Sequence, residues 1–121
     1  MEYFSTRDTA PRLTASEAIS RGLAPDGGLF VPDTLPQIGE AELAALLPLG
    51  YGERAKRILA AYLPEYSDAE LEALVSASYG KNFDTEAIAP VRFTDDKTGY
   101  LELWHGPTSA FKDMALQMLP Y

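Results

Sequence analysis

Apolar residues recur through the middle of the chain at helical spacing. Ala55, Ile58, Leu59, Tyr62 and Leu63 occupy positions i, i+3, i+4, i+7 and i+8, a full stripe down one face of an amphipathic helix. Leu43, Leu46 and Leu47 begin a similar stripe before it. Leu71, Leu74, Val75 and Tyr79 repeat it afterwards, with Ser78 in the i+7 place. A serine there is compatible with a helix, because its hydroxyl can bond back to a carbonyl of the preceding turn. Pro48 and Pro64 separate the three segments, and "SDAE" at Ser67 to Glu70 is a capping box that opens the last of them. Another capping box, "TASE" at Thr14 to Glu17, opens a shorter helix that runs to about Arg21 and stops at Gly22.

Short strands are predicted around these helices. Glu2 to Ser5 reads as one, followed by the loop "TRDTAPR". After the turn signal Asp26-Gly27-Gly28, Leu29 to Val31 reads as a second strand closed by Pro32. "VRF" from Val91 and "YLEL" from Tyr100 form a hairpin across "TDDKTG". A final helix is expected from near Pro107, with Phe111, Met114, Ala115, Met118 and Leu119 as its core stripe. The pattern is therefore mainly helical with short strands, of α+β or α/β class. The chain ends at "MLPY" directly after one helix, with no second strand to complete an alternating strand-helix unit. That is the expected appearance of a piece of something longer.

Composition narrows the function classes. A length of 121 residues suits one domain, and 46% hydrophobic with 23% charged residues is ordinary for a soluble globular protein. The net charge of -8 argues against a nucleic-acid surface. There is no cysteine, which excludes disulfides and thiolate metal sites and fits a reducing compartment. One histidine, His105, is too few for a typical zinc site. The N-terminus lacks the basic and apolar segments of a secretory signal, and no apolar run approaches the roughly 20 residues of a membrane helix. These features predict a cytoplasmic protein with no membrane, metal or nucleic-acid partner.

The candidate chemistry is concentrated near the C-terminus. In a helix starting at Pro107, Lys112 lies about 100° around from Phe111, at the edge of the apolar stripe. Its neighbours one turn away are Thr108, Ser109, Ala115 and Leu116, so no carboxylate on the helix pairs with it; Asp113, adjacent in sequence, points elsewhere. A cation in the first turns also opposes the helix dipole. Both features favour the neutral, nucleophilic amine. The simpler reading of the spacing alone is a lysine lying along the helix edge with its head in water. His105 reads as a cap of the strand-helix junction through a ring hydrogen bond, or else as a proton carrier or pocket wall. Trp104 reads as packing. Arg54, Lys56 and Arg57 form the solvated face of their helix. The glycines do not assemble into a phosphate-binding loop.

"LELWHGPTSAFKD" at Leu101 to Asp113 resembles the "ELFHGPT-x-AFKD" segment of threonine synthases. "YFSTR" at Tyr3 to Arg7, "AISRGLAPDGGLFVP" at Ala18 to Pro32 and "AIAPV" before the hairpin resemble further segments of that family, in the same order. The sequence departs from the family pattern at Trp104 and Ser109, changes that adjust pocket packing more than chemistry. The resemblance implies a pyridoxal 5'-phosphate enzyme, a carbon-oxygen lyase acting on phosphate, that converts O-phospho-L-homoserine and water to L-threonine and phosphate. It implies that Lys112 forms the Schiff base with the cofactor and serves as the catalytic base. Thr108, Ser109 and His105 follow as pocket residues. It further implies a helical and stranded N-terminal domain over residues 1–88 and the start of a pyridoxal-phosphate-binding α/β domain over 89–121. The loop that holds the cofactor phosphate would lie beyond Tyr121, so the 121 residues alone are expected to be inactive. The exposed stripe of the last helix is expected to drive self-association. Two alternatives stay open: a related lyase or threonine-synthase-like protein acting on another phosphorylated substrate, and a non-enzymatic binding module.

Overall fold

The computed structural model describes residues 1–121. Both capping boxes close. The Glu17 amide donates to Thr14 Oγ1 at 3.3 Å and the Thr14 amide donates to the Glu17 carboxylate at 2.9 Å, starting α1 (Ala15–Arg21). Ser67 and Glu70 make the same exchange at 3.3 and 2.7 Å ahead of α4 (Asp68–Ser78). Each exchange satisfies two backbone donors that a helix start leaves unpaired. The remaining helices are α2 (Glu40–Leu46), α3 (Tyr51–Tyr62) and the short α5 (Asp113–Leu116). The strands are β1 (Tyr3–Ser5), β2 (Phe30–Pro32), β3 (Val91–Phe93) and β4 (Gly99–Leu101).

The core forms where α1, the end of α3 and the start of α4 meet. Ala15, Leu63 and Leu71 are buried together, with Tyr3, Leu59, Tyr62 and Tyr66 packed around them. Ser78 is fully buried and its hydroxyl donates to the Leu74 carbonyl at 2.6 Å, the back-bond expected of a serine in that helix. A second cap on α1 comes from far along the chain: Glu65 accepts from the Ala15 and Ser16 amides at 3.2 and 2.6 Å. Those bonds hold the Glu65 carboxyl below the usual carboxylate range, the contacts with Ser16 contributing most.

The strands form two antiparallel pairs, β1 with β2 and β3 with β4. In the first, Tyr3 faces Pro32 and Ser5 faces Phe30. β2 is displaced by one residue from the predicted Leu29 to Val31, because Leu29 bridges Leu23 instead. The Asp26-Gly27-Gly28 turn is more than a bend. The Asp26 carboxylate accepts from the Ser5 hydroxyl at 2.6 Å, the Gly28 amide at 2.9 Å and the Thr9 hydroxyl at 2.8 Å. These donors, Ser5 foremost, hold its carboxyl well below the usual range. A Cβ on Gly28 would lie 2.1 Å from the Ser5 hydroxyl oxygen, so only glycine permits this approach.

Three expectations fail. Of the α2 stripe only Leu46 is buried, while Leu43 and Leu47 face solvent. The basic face of α3 is not simply solvated: Arg54 donates to the Leu46 and Leu47 carbonyls at 2.9 and 2.6 Å, capping the end of α2. Lys56 pairs with Asp68 and Glu72 of α4 at 3.0 and 2.8 Å, and those contacts raise the ammonium's pKa despite partial desolvation. The third failure is the final helix. Residues 107–112 are turns, and only Asp113–Leu116 is helical.

Candidate active site

The turns before α5 follow from their residue types. Gly106, Pro107, Thr108 and Ser109 are turn formers, and Ser109 adopts a left-handed φ of 55°, which ends any helix there. The Ser109 amide donates to the Gly106 carbonyl and the Asp113 amide to the Ala110 carbonyl, each at 3.0 Å, so two turns follow one another. Asp113 then closes the loop from inside. It is fully buried, and its two oxygens accept from the Thr108 amide at 2.8 Å and the Thr108 hydroxyl at 2.9 Å.

Lys112 stands directly before that aspartate. Its backbone is in the right-handed helical region, its side chain is exposed, and none of the chain's ion pairs includes it. The expected neighbourhood of a long helix therefore changes. Thr108 and Ser109 share a tight loop with Lys112, but the Thr108 hydroxyl is committed to Asp113, while Ser109 is exposed.

His105 is held apart from that loop. Its Nδ1 lies 2.5 Å from Asp84 Oδ1 and its Nε2 lies 2.8 Å from Glu102 Oε2. Two carboxylates, Glu102 first and then Asp84, raise its pKa. The ring hydrogen bond expected at this junction is present, doubled and charge-assisted. The backbone repeats the tie, with the Asp84 amide donating to the His105 carbonyl at 3.0 Å.

The segment after α4 grips α5 as well. Tyr79 donates its hydroxyl to the Met114 carbonyl at 2.7 Å, and the Asn82 amide donates to Gln117 Oε1 at 3.1 Å. Burial, with Tyr51 adjacent, pushes the Tyr79 hydroxyl up to about 12. Tyr51 meets the Tyr79 ring edge-on at 4.9 Å. Met114, Met118 and the largely exposed Leu119 line an apolar groove of about 340 Å³ beside Leu59, Leu63 and Leu74, while Phe111 faces solvent. The loop carrying Lys112 is thus anchored at His105 on one side and at Met114 and Gln117 on the other.

The family described as Threonine synthase N terminus matches residues 2–79. The chain belongs to the threonine synthase family. It is 42% identical over 119 residues to the threonine synthase of Pseudomonas aeruginosa, covering 98% of this chain and 25% of that one. It is 41% identical over 109 residues to human threonine synthase-like 1, covering 88% of this chain and 15% of that protein. Among solved structures it matches the pyridoxal-phosphate-bound threonine synthase of Brucella melitensis at a TM-score of 0.93 and 42% identity, over 98% of this chain and 26% of that one. The chain therefore spans about a quarter of the length of the threonine synthases it matches. The α+β arrangement is that of their N-terminal part.

The family likeness singled out Lys112, Thr108, Ser109 and His105, but not the acids that organise them. Helical geometry points Asp113 away from Lys112, a frame that the turns remove. One signal was available: "GPTS" is a run of turn formers, and an acid shortly after such a run can accept from its free amides. Glu102 and Asp84 offered no comparable cue, since Asp84 meets His105 only through the fold.

Proposed function

We propose that the chain is the N-terminal part of a cytoplasmic pyridoxal-phosphate lyase that converts O-phospho-L-homoserine and water to L-threonine and phosphate, with Lys112 as its cofactor-binding and catalytic lysine. The observation that carries this reading is the unpaired, exposed amine of Lys112 on an anchored loop, in a chain of the threonine synthase family. The donor chemistry fits the cofactor, because a primary amine condenses with an aldehyde and no carboxylate engages that of Lys112. When bound, the cofactor supplies an electron sink for the substrate's α-carbon.

In this reading the Lys112 Nζ holds the cofactor aldehyde and, once released, takes and returns protons along the substrate's carbon chain. Ser109 contributes an exposed hydroxyl beside it. Thr108 and His105 act by holding the loop, since their polar atoms are engaged by Asp113, Glu102 and Asp84. Residues 1–88 form the N-terminal domain and 89–121 open the cofactor domain. All six residues of the β3–β4 hairpin are exposed, which suits a hairpin that packs against further chain. The cofactor phosphate is held by that further chain, so the 121 residues alone neither retain pyridoxal phosphate on dialysis nor release phosphate from substrate.

The test is Lys112→Ala and Lys112→Arg in an enzyme of the relatives' length. Both should lose the absorbance of lysine-bound cofactor and several orders of magnitude of turnover, with unchanged folding. Arginine fails because a guanidinium stays charged and forms no imine. Near-normal turnover in the arginine variant would overturn the role of Lys112. A second reading, in which the same scaffold acts on another phosphorylated substrate, is tested by comparing phosphate release between O-phosphohomoserine and other phosphorylated amino and hydroxy acids.

A further inference from the structure

The geometry points to Asp113 as a positioning residue for Lys112: its buried carboxylate, bonded twice to Thr108 and seated against Gly106, sets where the lysine's main chain stands. The inference rests on Lys112 being the cofactor lysine.

Burial comes first. Only Ser5, Ser78 and Asp113 are buried polar or charged residues, and Asp113 alone of these carries an ionisable group. A carboxylate withdrawn from water needs hydrogen-bond donors, and here both come from one residue, Thr108. The chain between them must therefore close on itself. It does so through the Gly106 to Ser109 turn, the left-handed Ser109 and the Ala110 to Asp113 turn.

Gly106 completes the seat. A Cβ there would lie 2.5 Å from Asp113 Cβ, 2.6 Å from Oδ2 and 2.8 Å from Cγ. These are buried atoms within three bonds of the main chain, so an alanine would displace the aspartate itself. Lys112 is joined to Asp113 by a peptide bond and has no side-chain ion pair of its own. Its Cα position is set by the loop, and the carboxylate holds the loop. The same carboxylate makes no ion pair with the amine, because its oxygens are directed at Thr108. Placement matters at this level: a displacement of about 1 Å in a reacting group costs on the order of 10²-fold in rate.

The experiment uses the enzyme of the relatives' length, prepared free of cofactor. Pyridoxal phosphate is added, bound cofactor is fixed to lysine with borohydride at timed intervals, and its amount on the Lys112 peptide is measured by mass. Amide hydrogen exchange over residues 107–112 is followed without cofactor. Asp113→Ala and Thr108→Val should each slow attachment by on the order of 10²-fold and speed exchange in the loop. Combining them should add little to Asp113→Ala alone, since the hydroxyl bond that Thr108→Val removes is already lost with the carboxylate. Gly106→Ala should behave like them. Asp113→Asn should recover most of the rate, because its amide oxygen accepts from the Thr108 amide and its NH2 donates to the Thr108 hydroxyl oxygen. Native attachment rates in Asp113→Ala or Thr108→Val, with faster loop exchange, would reduce Asp113 to a structural residue and overturn the inference. So would an asparagine variant as slow as the alanine one, which would mean that charge and not placement matters. If Asp113→Ala does not fold, Thr108→Val and Asp113→Asn decide alone. Cofactor still fixed to the protein in Lys112→Ala would instead remove the reading of Lys112, a result separate from every variant of Asp113.

Discussion

In the helical layer, α1 and α4 start on capping boxes whose partners are three residues apart, and their buried faces meet at Ala15, Leu63 and Leu71. From Val91 to Tyr121 no strand residue is buried, the one helix has four residues, and the loop between is shaped by side-chain bonds to a buried aspartate. The first region takes its form from local signals reinforced by apolar packing. The second takes its form from a few polar contacts, several reaching back to the segment after α4. The lesson is that the part of this chain that carries the candidate site is held by hydrogen bonds, which give direction, more than by burial, which gives bulk stability.

The largest effects should separate the two regions. Leu71→Ala removes a side chain 2% exposed in the core and should cost about 2–5 kcal/mol in denaturant unfolding. Phe93→Ala, at 72% exposure in the hairpin, should change stability by no more than about 0.5 kcal/mol. Equal costs at the two positions would erase the distinction. Ser67→Ala then tests the local signals. It removes the acceptor of the α4 capping box and should cost about 1 kcal/mol, read as a shift of the unfolding midpoint at constant slope.

Tyr79→Phe joins the regions. It deletes only the hydroxyl that reaches the Met114 carbonyl, so global stability should fall by about 0.5–1.5 kcal/mol. Amide exchange in α5 should rise more than in α4. Uniform exchange in both helices would show that the tyrosine is not the link.

The finest test is one of pH. The groups facing the His105 ring are Glu102 and Asp84, with Arg92 3.8 Å from the other Glu102 oxygen. Because the two carboxylates raise the native pKa of His105, its stabilising contribution is complete below its unfolded value of about 6.5 and is lost as pH rises through the raised native value. The stability gap between the native chain and His105→Gln should therefore be widest near pH 5.5 and shrink as pH rises beyond about 6.5. A gap that stays constant across this range would mean that the ring is not protonated between its carboxylates.

The starts of α1 and α4, the Ser78 back-bond and the hairpin were legible in the sequence, because each is decided by residues close together along the chain. Lys112 stands out as a candidate only through family likeness, since its spacing is equally that of an ordinary surface lysine. What only the tertiary structure decided is the loop around it. A helix from Pro107 and a pair of turns satisfy the apolar pattern about equally well, and the choice falls to contacts that the pattern does not encode. Asp113 enters the interior because Gly106 leaves room and Thr108 supplies two donors. Arg54 and Lys56 gain fixed partners because the carbonyls at the end of α2 and the acids of α4 come within reach. Periodicity reports which side chains avoid water, but a buried charge goes where its hydrogen-bond partners are, and those are placed by the fold.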